Sequence, residues 1–455
     1  MDTLIEILPG LMFLCLMLGL FTSLPVPIVL VGVTMIFALI ALALGEMRFV
    51  HVSLIPTRIY GSVIDNSVLV AVPMFIFMGV LMEKTRIAED LLSTLQRLLA
   101  AVPGGLALAV VLMGTILAAA TGIIGASVVM LTVMALPTML RAGYAPSLAA
   151  GTVASAGTLG ILIPPSVMLV FMSDFLSLNL AKVFVAAFLP GLFLAGSYLV
   201  YLIVRSLAVP SDTPAATQLG GDRQDRLWYD ALVSVSLPLL LIVAVLGSII
   251  GGLASPTEAS GVGAFAALML AVLRGRLTPA VLGEATDSSL RTIALLFFIF
   301  SAATAFSYVF RKIGGDDFVI ELARGLNLGD WGLLATMMVM VFAMGFFFDW
   351  IEITLILLPI FAPIVGLMDL GEHVAKADLV YWFTILMAVN LQTSFLTPPF
   401  GFALFFMKGA AGDLVSMTDV YRGIIPFVLL QLTVMAVLIW QPEITMWLPN
   451  LVLSG

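Results

Sequence analysis

Charged and redox-active residues are scarce in this chain. Only 10% of its 455 residues are charged, against about 25% in an ordinary soluble domain, while 62% are hydrophobic. The one cysteine, Cys15, excludes a disulfide framework and a cysteine-based metal site. The two histidines lie in separate polar connections, which argues against a haem-bearing or multi-histidine redox bundle. Together, the shortage of charge and the excess of apolar residues predict an integral membrane protein.

Long apolar runs recur from the first residues to the last. Four of them lie at 25–45, 183–204, 231–250 and 421–440. Each reaches the roughly 20 residues that a helix needs to cross a bilayer. The first run of the chain contains Glu6 and Pro9 and lacks a basic leader, so it is interpreted as a retained span and not as a cleaved signal peptide. The sequence therefore predicts an all-α polytopic membrane protein, surrounded by lipid and without a nucleic-acid partner.

The same series of parts occurs twice along the chain: a span, an amphipathic helix, an interrupted apolar tract and a helix broken at Pro-Pro. The interruptions read "TGIIGAS" (121–127) and "FDWIEIT" (348–354), and each is interpreted as the tip of a re-entrant helical hairpin. The broken helices read "AGTLGILIPPSVMLVFM" (156–172) and "LQTSFLTPPFGFALFFM" (391–407). Two prolines behind a hairpin, in both halves, predict internal inverted repeats and not a chance kink.

The boundaries of these parts divide the chain into five segments. The segments are 1–66, N-terminal scaffold spans; 67–206, repeat 1; 207–286, a polar linker and central spans; 287–441, repeat 2; and 442–455, a C-terminal tail. Each repeat holds an arm helix, near 87–99 and 318–326, whose apolar residues follow a helical period. The arms are expected to lie along the membrane surface.

Basic residues orient the central spans. Arg205, Arg223 and Arg226 precede the two spans at 231–250 and 257–273, and Arg274 and Arg276 follow them, whereas the connection between the spans is uncharged. The positive-inside rule therefore predicts that the arginine-bearing side is cytoplasmic.

The repeated breaks indicate a function. Lipid cannot satisfy freed backbone groups, so non-helical backbone at membrane depth must be buried in protein or line a cavity. Four unwound segments therefore predict one central cavity. Discontinuous helices in repeats are typical of secondary transporters, in which freed carbonyls hold a cation and the N-termini of half-helices face an anionic substrate.

Neutral oxygens and one costly carboxylate line the breaks. The hydroxyl and amide side chains there suit Na+, a hard cation, although Ser and Thr in membrane helices also bond to their own backbone. Asp349, at the second tip, is a candidate site residue because membrane acids are costly; capping of the following half-helix is its structural alternative. Glu352 either contributes to the site or faces water or a partner. Arg291 and Arg311 flank a span, where they could attract a carboxylate, although interfacial anchoring is the favoured interpretation.

Seven motifs carry a resemblance to a known family. They are "PMFIFMGVLME" (73–83), "AEDLL" (88–92), "GTLGILIPPS" (157–166), "LPGL" (189–192), "SPTEASGVGA" (255–264), "SLRTIALLF" (289–297) and "QTSFLTPPFGFALFFMKG" (392–409). In these motifs the chain resembles the DctM-like large membrane subunit of tripartite ATP-independent periplasmic (TRAP) transporters. The resemblance implies an elevator-type secondary transporter of the bacterial inner membrane, driven by Na+ and free of other cofactors and of enzymatic activity. It also implies a separate, DctQ-like small membrane subunit and a periplasmic binding protein that delivers an organic acid.

The resemblance further implies where ligands bind. Cations are expected between each hairpin tip and the broken helix of the same half. The first cation site would contain Thr121, Gly122, Ser127, Thr158 and Pro164, and the second Asp349, Thr354, Gln392, Thr393 and Thr397. The substrate is expected between the tips, at Gly125, Ser166, Glu352 and Ser394.

Three other functions compete with this one. A Na+- or H+-coupled anion transporter of similar elevator architecture would work without a binding protein. A membrane subunit of a redox or proton-translocating enzyme would need cofactor ligands or buried acids and lysines along a proton path, and the spans have few. A passive channel has no obvious use for paired hairpins and amphipathic arms.

Overall fold

A computed structural model describes residues 2–22, 24–121, 124–214, 227–398 and 401–453. Within these ranges the chain forms helices and no strands. The α-helices are α1 Asp2–Leu20, α2 Val26–Leu44, α3 Phe49–Ser53, α4 Ile55–Ile59, α5 Ala71–Lys84, α6 Ile87–Leu98, α7 Gly105–Thr121, α8 Ile124–Arg141, α9 Pro146–Thr158, α10 Val167–Phe175, α11 Leu180–Ala208, α12 Leu227–Ile250, α13 Pro256–Leu273, α14 Pro279–Lys312, α15 Gly315–Gly325, α16 Gly329–Met344, α17 Trp350–Leu367, α18 Lys376–Leu396, α19 Phe402–Ala411, α20 Met417–Trp440 and α21 Glu443–Val452. A π-helical turn spans Tyr60–Ile64, and 3-10 turns span Leu159–Ile161 and Pro210–Asp212.

Eight of the described helices are long and apolar enough to cross a membrane. They are α2, α8, α11, α13, α14, α17, α18 and α20. The arm helix α15 and the hairpin arm α16 meet at an angle of 115°, so the chain turns sharply between them. The polytopic all-α prediction is confirmed.

Each predicted hairpin consists of two helices that pack on one another. In the first half these are α7 and α8, and in the second α16 and α17. The helix that follows each hairpin is broken near mid-length. In the first half α9 ends at Thr158, a single 3-10 turn follows, and α10 begins at Val167. In the second half α18 ends at Leu396 and α19 begins at Phe402. Both predicted breaks are therefore present.

The two repeats interlock by exchanging partners. The half-helix after each break packs on the hairpin of the other repeat, α10 on α17 and α19 on α8. The half-helix before each break packs on the last span of the other repeat, α9 on α20 and α18 on α11. At the α9–α20 crossing, a Cβ placed on Gly151 would collide with the backbone of Gly423, so only glycine permits this approach.

Helices outside the hairpins and broken helices also pack on helices of the other repeat. Helix α2 packs on α14 and α13 on α5, while α1 packs on α15 and α12 on α6. The same two-fold pattern therefore takes in four helices that the predicted boundaries at 67 and 287 leave outside the repeats.

Ion pairs hold the arm helix α6 against the connection between α13 and α14. Its apolar face is buried, whereas its Asp90 carboxylate lies 3.1 Å from the Arg274 guanidinium and 3.0 Å from that of Arg276, in the α13–α14 connection. Arg276 also donates to the carbonyl of Thr85, at 3.2 Å. Helix α14 starts beside this cluster and runs for 34 residues, about 51 Å at 1.5 Å per residue, which places Arg311 near the opposite membrane surface.

Candidate functional site

The two broken helices touch at equivalent positions. Thr158 lies six residues before Pro164, and Gln392 lies six residues before Pro398. The Gln392 amide nitrogen, Nε2, donates a hydrogen bond to Thr158 Oγ1 at 3.4 Å, and both side chains are fully buried. A contact between equivalent residues places the pseudo-two-fold axis of the repeats between them. The resemblance assigns Thr158 and Gln392 to different cation sites, yet the structure joins them.

Two residues of the predicted second cation site have buried oxygens without a hydrogen bond. Among the described residues, Gln392 Oε1 and Thr354 Oγ1 have no partner, and both side chains are fully buried. Leaving such a group unpaired costs about 1–3 kcal/mol. In the other repeat Thr132 is the counterpart of Thr354, since each lies five residues before a proline, and its hydroxyl donates to the Val128 carbonyl at 2.6 Å. The fold therefore does not require the free hydroxyl of Thr354.

Sequence reasoning missed two oxygens near the breaks. Ser155 Oγ, one turn before Thr158 on α9, is buried and unpartnered among the described residues. The Asn390 carbonyl oxygen, Oδ1, is also unpartnered within that part of the chain, while its Nδ2 donates to the Met338 carbonyl at 2.6 Å. The i−3 spacing of Ser155 from Thr158 is a signal that could have indicated its position on the same helix face.

Most of the other predicted hydroxyls donate to the backbone. The pairs are Thr158 to Ser155 at 2.9 Å, Thr393 to Val389 at 2.8 Å, Ser394 to Leu391 at 2.8 Å, Thr397 to Thr393 at 2.8 Å and Ser166 to Ile161 at 2.6 Å. This use of the hydroxyl hydrogen agrees with the structural alternative for membrane Ser and Thr. It leaves the oxygen lone pairs able to accept, because a hydroxyl carries one donor and two acceptor positions.

Asp349 caps the half-helix α17. Its Oδ1 accepts from the Trp350 N–H at 2.7 Å, and Glu352 Oε2 accepts from the Asp349 N–H at 3.3 Å, which completes a capping box. Both carboxylates are half-buried. The structural alternative for Asp349 is thus realised, and a cation role for it stays a prediction. The adjacent Trp350 ring packs on Phe171 of α10, with centroids 5.9 Å apart.

The first tip is only partly described. Gly122 and the side chain of Thr121 lie outside the described residues, as does Pro399 of the second break. Ser127 is buried on α8, and Pro164 is buried within the first break. Gly125 faces α19 of the other repeat, because a Cβ added there would lie 3.0 Å from the Phe406 ring.

The four predicted substrate residues are distributed over both repeats. Gly125 belongs to the first tip, Ser166 and Ser394 to the two broken helices, and Glu352 to the second tip. No hydrogen bond joins any two of these four within the described part of the chain. Each tip packs against the broken helix of the opposite repeat, as Gly125 does on Phe406 and Trp350 on Phe171. This packing brings the tips and broken helices of the two repeats together.

Comparisons with known proteins agree with this architecture. The family model described as "Tripartite ATP-independent periplasmic transporter, DctM component" matches residues 11–444. The C4-dicarboxylate TRAP transporter large permease protein DctM of Pseudomonas aeruginosa is 30% identical over 393 residues, 85% of this chain and 87% of that protein. The ectoine/5-hydroxyectoine TRAP transporter large permease protein UehC of Ruegeria pomeroyi is 30% identical over 388 residues, again 85% and 87%.

A solved structure shares the fold. The crystal structure of the YdaH transporter of Alcanivorax borkumensis, described as having an unusual topology, superposes with a TM-score of 0.62 at 13% identity. The superposition covers 89% of this chain and 90% of that one. The chain belongs to the DctM family of tripartite ATP-independent periplasmic transporters and is a multi-pass protein of the bacterial inner membrane.

Proposed function

We propose that this chain is the large permease subunit of a Na+-coupled secondary transporter that imports an organic acid. The observation that carries the proposal is the contact between Gln392 and Thr158, which brings the two breaks together beside unpartnered buried oxygens. Neutral amide, hydroxyl and carbonyl oxygens suit Na+. The half-helices α10 and α19 begin at the breaks, so their N-terminal dipole ends can stabilise a substrate carboxylate.

The cations bind at the two predicted sets of residues. Around Thr158 and Ser127 the ligands come from the first half, and around Gln392, Thr354 and Asp349 they come from the second. Because Gln392 reaches Thr158, the two sites share a boundary. The substrate binds between the tips, where Gly125 and Glu352 lie.

Transport proceeds by movement of the interlocked helices as one body. Helices α7–α11 and α16–α20 exchange partners across the repeats and form the moving part. Helices α2, α5, α13 and α14 pack among themselves and form the scaffold. The arms α6 and α15 connect the two bodies, and this arrangement supports an elevator mechanism.

Two partners complete the transporter. The family description names one component of a tripartite periplasmic system, and the curated relatives are named large permease proteins. These names support a separate small membrane subunit and a periplasmic protein that delivers the substrate. C4-dicarboxylates and ectoine, the compounds in those names, both carry carboxylate groups. An organic acid is therefore the proposed substrate class, and the chain itself catalyses no covalent step.

Reconstitution tests this proposal. The chain, its small subunit and its binding protein are incorporated into liposomes, and the ligand of the binding protein is first identified by thermal shift against a panel of organic acids. We expect uptake to fall to background when K+ replaces Na+ outside. Unchanged uptake in K+ would refute Na+ coupling. Equal uptake without the binding protein would refute delivery by that partner.

A further inference from the structure

A cavity of about 460 Å³ opens where α14 ends, outside the contact between Thr158 and Gln392. Its wall includes Arg58 of α4 and Arg311 and Lys312 of α14, together with Asp174 at the end of α10. Since α14 begins beside Arg276 and crosses the membrane, this cavity lies on the opposite surface from the arginine cluster. By the positive-inside rule that surface is periplasmic. We name this cavity, defined by Arg58, Asp174, Ser307, Tyr308, Arg311 and Lys312, the outer pocket.

The outer pocket carries a net positive charge. Three cations face one carboxylate, and the Asp174 Oδ1 already accepts from Asn66 Nδ2 at 2.6 Å. Arg311 lies 3.8 Å from Asp316, in a pair that is about half exposed, and the Arg58 guanidinium lies over the Tyr308 ring, 5.6 Å from its centroid. Arg58 and Lys312 form no ion pair with any described residue.

Two hydroxyl groups in the same wall lack partners. Ser307 Oγ and Tyr308 OH are both buried, and neither forms a hydrogen bond within the described ranges. A hydroxyl that is buried without a partner costs free energy unless something else pairs with it. An anion beside Arg58 and Lys312 would accept from both hydroxyls while it neutralises the charge.

The floor of the outer pocket leads towards the second tip. Phe300 lines the floor and packs on Phe175 and Phe171, with centroid distances of 4.9 and 5.2 Å. Phe171 in turn packs on Trp350, which follows Asp349 at the tip. A continuous series of rings thus separates the pocket from the proposed substrate site.

The repeated fold does not by itself require these hydroxyl and guanidinium groups. Helices α5 and α14 are equivalent, and each is followed, two residues after its last, by a residue in the left-handed region, Arg86 or Gly314. In that alignment Ser307, Tyr308 and Arg311 correspond to Gly79, Val80 and Glu83. The equivalent position on the other membrane surface therefore has neither the hydroxyls nor the guanidinium. This difference indicates a requirement specific to one side of the membrane.

We propose that the outer pocket is a loading site that holds the carboxylate of the organic acid on the periplasmic side, before the acid passes the ring series to the tips. The identity of the occupant rests on the proposed function. Arg58 and Lys312 attract the carboxylate, and Ser307 and Tyr308 donate hydrogen bonds to it. Movement of Phe171 and Phe300 then opens the path to the second tip.

Charged thiol reagents test the proposal on the purified complex with its small subunit, in K+ buffer without Na+. In a Cys15→Ala background, Ser62→Cys places a thiol on the exposed wall of the pocket, and Ser53→Cys serves as an exposed control on the same surface. An anionic and a cationic methanethiosulfonate are compared at each position. We expect the ratio of anionic to cationic labelling rates to be several-fold higher at Ser62→Cys, as the net positive charge of the pocket would give at short range and physiological salt. Arg58→Gln and Lys312→Gln should each lower that ratio, whereas Arg324→Gln, outside the pocket, should not.

The occupant is identified by protection. Millimolar succinate or acetate should slow the labelling of Ser62→Cys several-fold and leave that of Ser53→Cys unchanged. Equal ratios at the two positions would overturn the proposal, as would labelling that neither carboxylate slows. Protection by phosphatidylglycerol alone would reassign the pocket to a lipid headgroup. Because no Na+ is present, failure of Na+-driven uptake with intact protection would refute the proposed function and not the anion site.

Discussion

Replacement of Thr354 by valine separates a structural role from a cation-binding role. The Thr354 side chain is fully buried and its hydroxyl has no hydrogen-bond partner among the described residues. An unpaired buried hydroxyl costs about 1–3 kcal/mol, and valine has nearly the same shape. In the absence of Na+, Thr354→Val should therefore be more stable than the wild type by about 1 kcal/mol.

In the presence of Na+, the wild type should instead be the more stable of the two proteins. At a Na+ concentration about 100 times the dissociation constant, binding stabilises the wild type by about 2.7 kcal/mol. Loss of one ligand is expected to weaken binding about tenfold, which lowers the stabilisation at the same concentration to about 1.4 kcal/mol. The variant thus gains stability without the ion and loses about half of the response to it.

Thermal unfolding of the purified chain in Na+ and in K+ measures both effects. Thr384→Val is the matched control, because that buried hydroxyl donates to the Val380 carbonyl at 2.7 Å on the same helix that carries Gln392. The control should lose about 1 kcal/mol in both salts and keep the full Na+ response. A wild-type Na+ response in Thr354→Val would refute the assignment of this hydroxyl to the cation.

Three further predictions concern the tip, the interlock and the arm. Asp349→Asn keeps an effective cap but removes the charge, so Na+-dependent uptake should fall several-fold while expression stays near wild type; wild-type Na+ dependence would leave Asp349 a cap only. Gly151→Ala should destabilise the α9–α20 crossing by about 1–3 kcal/mol in thermal unfolding, whereas Gly196→Ala, where a Cβ meets open space, should not; equal effects would contradict the close approach. Asp90→Asn should lower stability by about 1 kcal/mol because it removes the carboxylate charge that pairs with Arg274 and Arg276, and the exposed pair tested by Asp287→Asn should contribute less; a larger loss in the second variant would contradict the anchoring of α6.

The parts that sequence reasoning predicted well are local. The Pro-Pro breaks, the hairpin interruptions and the amphipathic arms each have a signal within about 20 residues, since proline removes a helical hydrogen bond and the arms repeat with the helical period. The structure confirms both breaks and both hairpins. Local signals of this kind are sufficient to place the breaks but not their partners.

The exchanged packing could not be predicted in the same way. The spans are apolar on all sides, so their composition contains no information on which helix α9 or α10 contacts. The contact of Thr158 with Gln392 joins different residue types and becomes visible only with the two-fold axis in place. The sequence also does not show that the Thr354 hydroxyl lacks a partner among the described residues while the Thr132 hydroxyl has one. Both residues are threonines at the same distance from a proline.

The surroundings of Arg311 could not be predicted from the local sequence either. As a single residue it is most simply interpreted as an interfacial anchor. The fold brings it beside Arg58, from a distant part of the chain, and beside two unpartnered hydroxyls. The charge cluster exists only after folding.

Direct measurement of Na+ binding tests the central claim, that Gln392, where the two breaks meet, is a ligand of a coupling ion. Equilibrium binding of radioactive Na+ to the purified chain with its small subunit is compared between the wild type and Gln392→Leu, with Gln431→Leu, a buried glutamine of α20, as the matched control. We expect saturable binding in the wild type and in the control, and a loss of affinity of tenfold or more in Gln392→Leu. Absence of saturable binding in the wild type, or equal binding in Gln392→Leu, would contradict the claim.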